Sequence, residues 1–419
     1  MTKRPYTDPQ AARTGDRLRI AMIGTRGVPA AYGGFETAVE EIGRRLASRG
    51  HGVTVYCRSQ HHAATRRDYL GMTLVQLPAL HLKAVETLSH TALSVAHAAM
   101  HRRPDAAFVF NAANAPFVAM LRMRHIPTTV HVDGLEWMRG KWGAGGRHYY
   151  RWAEQVSVRQ ADALISDAQG IVDYYSHEFR VPTELLTYGT KILTNTPTDR
   201  LVELGLGAGA YHLVVARFEP ENHVDVILEG YRRSGARLPL VVVGSAPYAE
   251  NHTNRIMRLA APDDRIHMLG GIWDQDQLDQ LYAHAATYLH GHSVGGTNPS
   301  LLRAMGAGTA VIAWDVVFNR DVLGASGAFF ADAQGVATLI DDAELSPHRT
   351  AEVAVALQGR ARSLYNWDAV TDGYEGLARR LAAGYSTHGL SSGRRRESAW
   401  AETDELYSPA STAVIGRLS

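Results

Sequence analysis

The chain has 419 residues, 45% of them hydrophobic and 20% charged, with 39 Gly, 16 Pro and one Cys. This is globular composition, long enough for two or three domains with cores of their own, and it excludes disordered and collagen-like chains. The lone thiol, Cys57, cannot close an intrachain disulfide and no Cys-rich metal site is available, so a reducing, cytoplasmic setting is the expectation.

The net charge of +1 covers an asymmetry: residues 1–190 hold 23 Lys and Arg against 16 Asp and Glu, and residues 191–419 hold 20 against 26. A basic half suits an anionic partner, although solvated faces that happen to differ would give the same counts. No run approaches the roughly 18–20 apolar residues of a membrane helix, and Met1–Gly15 lacks the apolar segment of a secretion leader. Neither a span nor export is expected.

Residues 1–16 read as a mobile tail. Leu18–Ile23 then reads as a buried strand, followed by a glycine-rich loop from Gly24 to Gly34 and a helix. Phe35, Val39, Ile42 and Leu46 keep the helical period, Glu36 sits in the first turn and Gly50 is a natural C-cap. Val53–Cys57 is the next strand. Apolar runs at Ala106–Phe110, Thr128–Val132 and Ala163–Ser166, separated by helix-length segments, imply a parallel sheet covered on both faces.

At Thr194–Gly209 the periodicity lapses into a Thr-, Pro- and Gly-containing stretch that reads as a linker. The alternation restarts with strands at His212–Ala216, Leu238–Val243, Ile266–Leu269, Thr287–His290 and Ala310–Trp314. Trp367–Ala382 is an amphipathic helix with Val370, Tyr374, Leu377 and Leu381 on one face; beyond Gly384, Ser, Gly and Arg394-Arg395-Arg396 dominate. The expected organisation is an α/β, Rossmann-like domain over 17–193, a second over 194–366, a helix over 367–384 and a mobile tail over 385–419. Ligands should bind where strand C-terminal ends face a crevice.

Four words stand in order along the chain: Gly24-Thr25-Arg26-Gly27-Val28-Pro29, Tyr32-Gly33-Gly34-Phe35-Glu36-Thr37, Val132-Asp133-Gly134-Leu135-Glu136-Trp137, and the run His292 to Ser300 (HSVGGTNPS). Together they resemble the rhamnosyltransferase-like branch of glycosyltransferase family 4, retaining enzymes of the GT-B fold. The likeness extends from residue 18 to about 382, with Val215–Asn222 and Tyr365–Asp368 included. It implies two Rossmann-like domains facing an interdomain cleft, the last helix crossing back to the first. It implies a nucleoside-diphosphate sugar held mainly by the second domain, and a saccharide or lipid-linked saccharide acceptor held mainly by the first. No cofactor beyond that substrate, no metal and no nucleic acid are implied. Rhamnose is one sugar the branch suggests, and the basic first half fits peripheral attachment to an anionic inner-membrane face.

Each motif has a physical reading in that frame. Gly33 and Gly34 open a helix, so backbone N–H groups there suit a diphosphate; a ligand-free tight turn would use the same glycines. Arg217, just past a strand, can neutralise a leaving diphosphate, or it can pair with Glu219 or Glu221. The family carries a Lys five residues on, where this chain has the uncharged Asn222. Gly295, Gly296, Thr297, Asn298 and Ser300 correspond to the family's donor loop. Its paired-glutamate motif falls on Gly295, which fits the branch, and on Arg303, which does not. An Arg cannot accept hydrogen bonds from ribose hydroxyls. Arg303 therefore either replaces the charge missing at Asn222 or marks an impaired site.

Asp133 is the acid expected nearest the reacting sugar, as orienter of the acceptor hydroxyl or stabiliser of an oxocarbenium-like centre, although Asp before Gly is also an ordinary turn former. Glu136, Trp137 and Lys141 continue this loop as acceptor contacts, with Trp137 either a stacking platform or core. His290 and His292 read as strand-end residues, not ligands. Two other readings compete: a catalytically impaired GT-B shell with a binding role, motivated by Arg303, and a nucleotide-dependent oxidoreductase. Gly24-x-x-Gly27 lacks the Gly-x-Gly-x-x-Gly spacing that the oxidoreductase requires.

Overall fold

The computed structural model describes residues 17–30, 33–59, 67–80, 85–140, 142–245 and 250–395; the expected tail at 1–16, the end of the one at 385–419, and Lys141 lie outside them. Two sheets organise the chain. The first contains β1 (Arg19–Ile23), β2 (Gly52–Arg58), β3 (Asp68–Tyr69), β4 (Met72–Leu77), β5 (Ala106–Phe110), β6 (Thr128–His131), β7 (Ala163–Ser166) and β8 (Glu184–Leu185), in the order β3-β4-β2-β1-β5-β6-β7-β8. The second contains β9 (His212–Val215), β10 (Leu240–Val243), β11 (Ile266–Gly270), β12 (Thr287–His290), β13 (Ala310–Trp314) and β14 (Ala328–Phe330), in the order β11-β10-β9-β12-β13-β14. Apart from the short antiparallel β3–β4 pair, the registered pairs are parallel. The apolar runs read as two-faced buried strands are just that: every residue of β5, β10 and β13 is buried.

Chain order reverses direction on either side of β1 in the first sheet and of β9 in the second. At such a switch point the loops after neighbouring strands diverge and leave a crevice outside their C-terminal ends. In the second sheet those are the loops that begin at Ala216 and Gly291, which carry Arg217 and the glycine-rich run.

The chain divides into two compact units. One takes the residues up to Val132, Ala153–Ile165 and Thr371–Gly393; the other takes Asp133–Trp152, Ser166–Val370 and the residues from Arg394. Two of the breaks therefore fall inside the helices Ala144–Gln160 and Trp367–Ala382, and the others after Val132, Ile165 and Gly393; none falls in the stretch at 194–209. The stretch at 194–209 is held within the second unit: the His284 ring bonds the carbonyls of Thr196 and Pro197, and Gln280 donates to Asp199 at 2.8 Å.

From Thr371 onward the last helix belongs to the first unit, as the resemblance implied. Tyr374 lies on Phe108 at 5.2 Å between ring centres, and Glu375 receives Arg49 and Arg379, each at 2.8 Å. The expected mobility beyond Gly384 fails as far as Gly393. The Thr387 amide donates to the Asp162 carbonyl at 2.6 Å, Ser386 donates to the Asp162 carboxylate, and Arg159 donates to the Ser392 carbonyl. Composition read this segment as disordered, yet its hydroxyls and amides supply donors that the end of a helix and the start of β7 need.

Burial alone would raise the pKa of Glu375, but hydrogen bonds from Arg49, Arg379 and His51 outweigh it and hold the carboxyl near 2. Its folded pKa lies below the unfolded one, so its contribution is present above about pH 4.5 and is lost as pH falls toward 2. Glu375→Gln should lower the melting temperature at pH 7, and the gap to wild type should close in melts taken at successively lower pH.

Candidate functional site

Most of the residues singled out in the sequence meet in the second unit, on the loops after β9 and β12 and on the segment Asp133–Gly140. The chain leaves β9 through Ala216, whose amide still bonds Val243, and turns sharply: Asn222 donates its side-chain amide to the Arg217 carbonyl at 2.8 Å. Asn222 thus closes the turn that presents Arg217. The Arg217 guanidinium stands 3.4 Å from the Glu219 carboxylate; its side chain is 37% exposed and that of Glu219 3%. The turn is stapled to the loop after β12, because the Ser293 amide and hydroxyl both donate to the Glu221 carbonyl. His223 bonds the Ser293 hydroxyl at 3.0 Å and stacks on Trp314 at 3.6 Å.

The run Gly295–Ser300 opens the helix Pro299–Ala307. Asn298 is its N-cap, accepting from the Ser300 amide at 3.0 Å, and Pro299 takes the first position, where a missing N–H costs nothing. The Ser300 hydroxyl donates to Asn298 and receives Tyr288, while the Thr297 hydroxyl donates to the Asp167 carbonyl. These polar side chains shape the loop. What the loop offers a ligand is backbone, because Gly296 has no room for a Cβ and Gly295, at φ 137, takes a conformation that L side chains rarely adopt. A Cβ on Gly296 would stand 2.0 Å from the Asp167 carboxylate, and one on Gly134 would stand 2.5 Å from Gly295 Cα.

Arg139 is the hub. It pairs with Glu136, and it feels the charges of Asp133, Glu219 and Glu221 as well. Burial by itself would lower its pKa; the four carboxylates outweigh burial and keep the guanidinium charged. Asp133, at φ 60, takes the left-handed backbone conformation that Asp tolerates in tight turns. Asp167 is buried, and burial together with the charge of Asp133 raises its pKa well above the carboxylate range, against the pull of Arg139 and the Thr297 amide. His290 and His292 stack at 4.4 Å, and burial keeps both imidazoles neutral, His290 at a pKa of about 3. Glu221 is 7% exposed, and both its carboxylate oxygens are buried without a hydrogen-bond partner.

Several expectations need correction. Glu136 and Trp137 are not open acceptor contacts. Glu136 is committed to Arg139 and to the Trp142 indole, and Trp137 is 4% exposed, covered by the Arg151 guanidinium at 4.1 Å and by Arg395 at 5.8 Å. Arg303 does not stand in for the cation missing at Asn222. Its guanidinium forks onto Asp279 at 2.6 and 2.9 Å and onto Gln275, and so is neutralised by the helix Gln275–Ala283. Gly33 and Gly34 lie in the first unit. Their loop already donates amides to its own helix, from Arg26 to Glu36 and from Ala30 to Glu40, and a Cβ on Gly33 would meet the Glu36 carboxylate. Asp167 carried no sequence signal of its own, since it acts through Asp133 and Thr297, both distant in the chain. Among the described residues no group of three or more His, Cys, Asp or Glu could hold a metal ion.

Comparison with known proteins agrees with this architecture. Residues 18–191 match the family described as a domain of unknown function, DUF1972, and residues 210–343 match the one described as glycosyl transferases group 1. An Escherichia coli protein named O-antigen chain mannosyltransferase B is 24% identical over 155 residues, 35% of this chain; the chain spans only 40% of that relative's length. Among solved structures, sucrose-phosphate synthase from Thermosynechococcus elongatus superposes with a TM-score of 0.75 at 20% identity, over 88% of this chain and all of that one. Anabaena HepE, solved with UDP-glucose, gives 0.68 at 15% identity, over 87% of this chain and all of that one. The fold is that of the GT-B glycosyltransferases, two α/β domains on parallel sheets.

The Asp167 carboxyl binds its proton more tightly folded than unfolded, so it weakens the fold progressively as pH rises above about 4. Asp167→Asn keeps an acceptor for the Thr297 amide and removes the titration. Its melting temperature relative to wild type should increase as pH rises above about 4; a pH-independent difference would show that the carboxyl is not shifted upward by folding.

Proposed function

We propose that the protein is a glycosyltransferase that moves a sugar from a nucleoside diphosphate onto a saccharide or lipid-linked saccharide in the assembly of a surface polysaccharide. The observation that carries this reading is Arg217, a half-exposed cation held by Asn222 at the switch point of the second sheet, beside the glycine backbone that opens the helix Pro299–Ala307. A guanidinium and a helix N-terminus are the two features that stabilise a departing diphosphate. The match of residues 210–343 to glycosyl transferases group 1, the mannosyltransferase relative, and the nucleotide-sugar complexes of structural neighbours support it.

In this mechanism the diphosphate exchanges with Glu219 as the partner of Arg217. Glu221, whose carboxylate lacks donors, accepts from hydroxyls of the bound donor. Neutral His292 has its Nδ1 buried and unbonded, which suits a hydrogen bond without a proton transfer. Asp133 orients the acceptor. The transfer proceeds with retention: the bond from the anomeric carbon to the diphosphate oxygen breaks, the acceptor hydroxyl oxygen bonds to that carbon on the same face, and its proton passes to the departing diphosphate oxygen. No strong general base is then required, and no metal. A family 4, rhamnosyltransferase-like specificity is the finer form of the proposal.

Incubation with a panel of nucleotide sugars, followed by release of the nucleoside diphosphate, tests the activity. Slow hydrolysis of one donor supports it, and inertness toward all favours a binding shell. Arg217→Ala should weaken binding of the preferred nucleoside diphosphate by about 10- to 150-fold, the equivalent of ~1.5–3 kcal/mol for a hydrogen bond to a charged group. Unchanged affinity in calorimetry removes Arg217 from the site.

Arg303→Gln gives a contrasting outcome. Because Arg303 is spent on Asp279, the substitution should leave diphosphate affinity within about two-fold and lower the melting temperature instead, since Asp279, 13% exposed, loses its bidentate partner. A large loss of affinity with an unchanged melt would return Arg303 to the donor site.

A further inference from the structure

The run Arg394-Arg395-Arg396 reads in composition as part of a tail, yet the Arg395 side chain is buried, at 5% exposed. Gly393 makes the turn before it. That residue takes φ 66, the left-handed region that favours glycine, and a Cβ on it would stand 2.5 Å from Arg159 Cγ. The side chains that receive Arg395 all lie in the second unit. Its guanidinium stands 3.8 Å from the Glu178 carboxylate, 5.2 Å from the centre of the Phe179 ring, 5.6 Å from that of Tyr174 and 5.8 Å from that of Trp137. None of these four residues is more than 4% exposed.

Taking a guanidinium out of water is costly unless its charge is met. Here one carboxylate and three aromatic rings meet it, an arrangement that recognises cations. Tyr174, Glu178 and Phe179 come from the helix Gln169–Phe179, and Trp137 comes from the single turn Glu136–Met138. The Trp137 indole N–H is buried without a hydrogen-bond partner, so the ring is fixed by what lies over it: Arg151 at 4.1 Å, and Arg395. Groups of the candidate site flank that ring. Glu136 pairs with Arg139, and Arg139 feels the charge of Asp133. A tryptophan held by two guanidinium groups therefore sets where this turn lies.

We infer that Arg395 is a positioning residue for the segment Asp133–Gly140: seated in the cage of Trp137, Tyr174, Phe179 and Glu178, it holds the turn that carries Glu136 and Arg139. The occupant the cage selects is a guanidinium. An ammonium would satisfy Glu178 but offers no flat face to the rings, and an apolar side chain would take a cation away from a buried carboxylate. Occupancy of the cage does not depend on the glycosyltransferase reading; its effect on sugar transfer rests on that reading.

Hydrogen exchange on the full chain tests the cage. In Arg395→Ala the amides of residues 133–140 should exchange about ten-fold faster than in wild type, with the helix Pro299–Ala307 at its wild-type rate. Arg395→Lys should lie between the two. Methylguanidinium at millimolar concentration should restore the protection of 133–140 in Arg395→Ala and change nothing in wild type, whose cage is filled; a general loss of stability would not respond to it. Transfer supplies the second readout. Because Asp133 orients the acceptor in the proposed function, Arg395→Ala should slow transfer about ten-fold and leave slow hydrolysis of the donor within about two-fold. Wild-type exchange over 133–140 in Arg395→Ala, acceleration spread evenly over the chain, no response to methylguanidinium, or an equal loss of transfer and hydrolysis overturns the proposal. Inertness of the wild type toward every donor counts against the proposed function instead, and the exchange result then decides the cage.

Discussion

A buried guanidinium sets the terms for the second unit. Arg139 sits among Glu136, Asp133, Glu219 and Glu221, which come from two stretches of chain some eighty residues apart. Removing a charge from water is costly unless it is paired, and pairing one cation with several carboxylates leaves those carboxylates unable to move apart without exposing an unpaired charge. The turn after β9 and the segment after Val132 are therefore fixed by electrostatics as much as by packing. Arg217 inherits its position from that arrangement, because Glu219 and Asn222, which hold it, belong to the same short turn.

Close backbone contact is the second constraint, and it explains the glycines better than flexibility does. Gly134 and Gly296 are needed because another segment occupies the place of a side chain, Gly295 in one case and the Asp167 carboxyl in the other. Backbone brought this near carries its amides with it, and these are the groups a glycine loop can offer an anion. The loop near Gly33 shows the contrast. Two of its amides, those of Arg26 and Ala30, are already engaged by Glu36 and Glu40, so part of what looks like an anion site in the sequence is satisfied from within its own helix.

The sheets were legible because buried parallel strands are nearly continuous apolar runs, and helices such as Trp367–Ala382 announce themselves by period. Domain boundaries were not, because the units are built from discontinuous pieces and two helices change unit part-way, which leaves no polar linker to find. In the site, Arg217 and the run after β12 could be read from strand-end position and local spacing. The roles of Asn222, Arg303 and Trp137 could not. Each is decided by a partner distant in sequence or by a neighbour's carbonyl: Asp279 for Arg303, the Arg217 carbonyl for Asn222, and the guanidinium of Arg395, from a stretch that composition reads as tail, for Trp137.

The charge balance around Arg217 shapes how such a site binds an anion. Arg139 and Arg217 face the carboxylates of Asp133, Glu136, Glu219 and Glu221, so the resident groups already carry more negative than positive charge. Under the proposed function a diphosphate would replace one anion by another on the same guanidinium, and its gain would be the difference between two charge-assisted hydrogen bonds, not the whole of one. Burial and the charge of Asp133 push the Asp167 carboxyl toward its neutral form, which lessens the repulsion. An arginine that is pre-paired in this way binds its ligand less tightly than an unpaired one would. It is also held in place before a ligand arrives, and under the proposed transfer its charge would go to the diphosphate as negative charge grows on the leaving oxygen, stabilising the transition state more than the ground state.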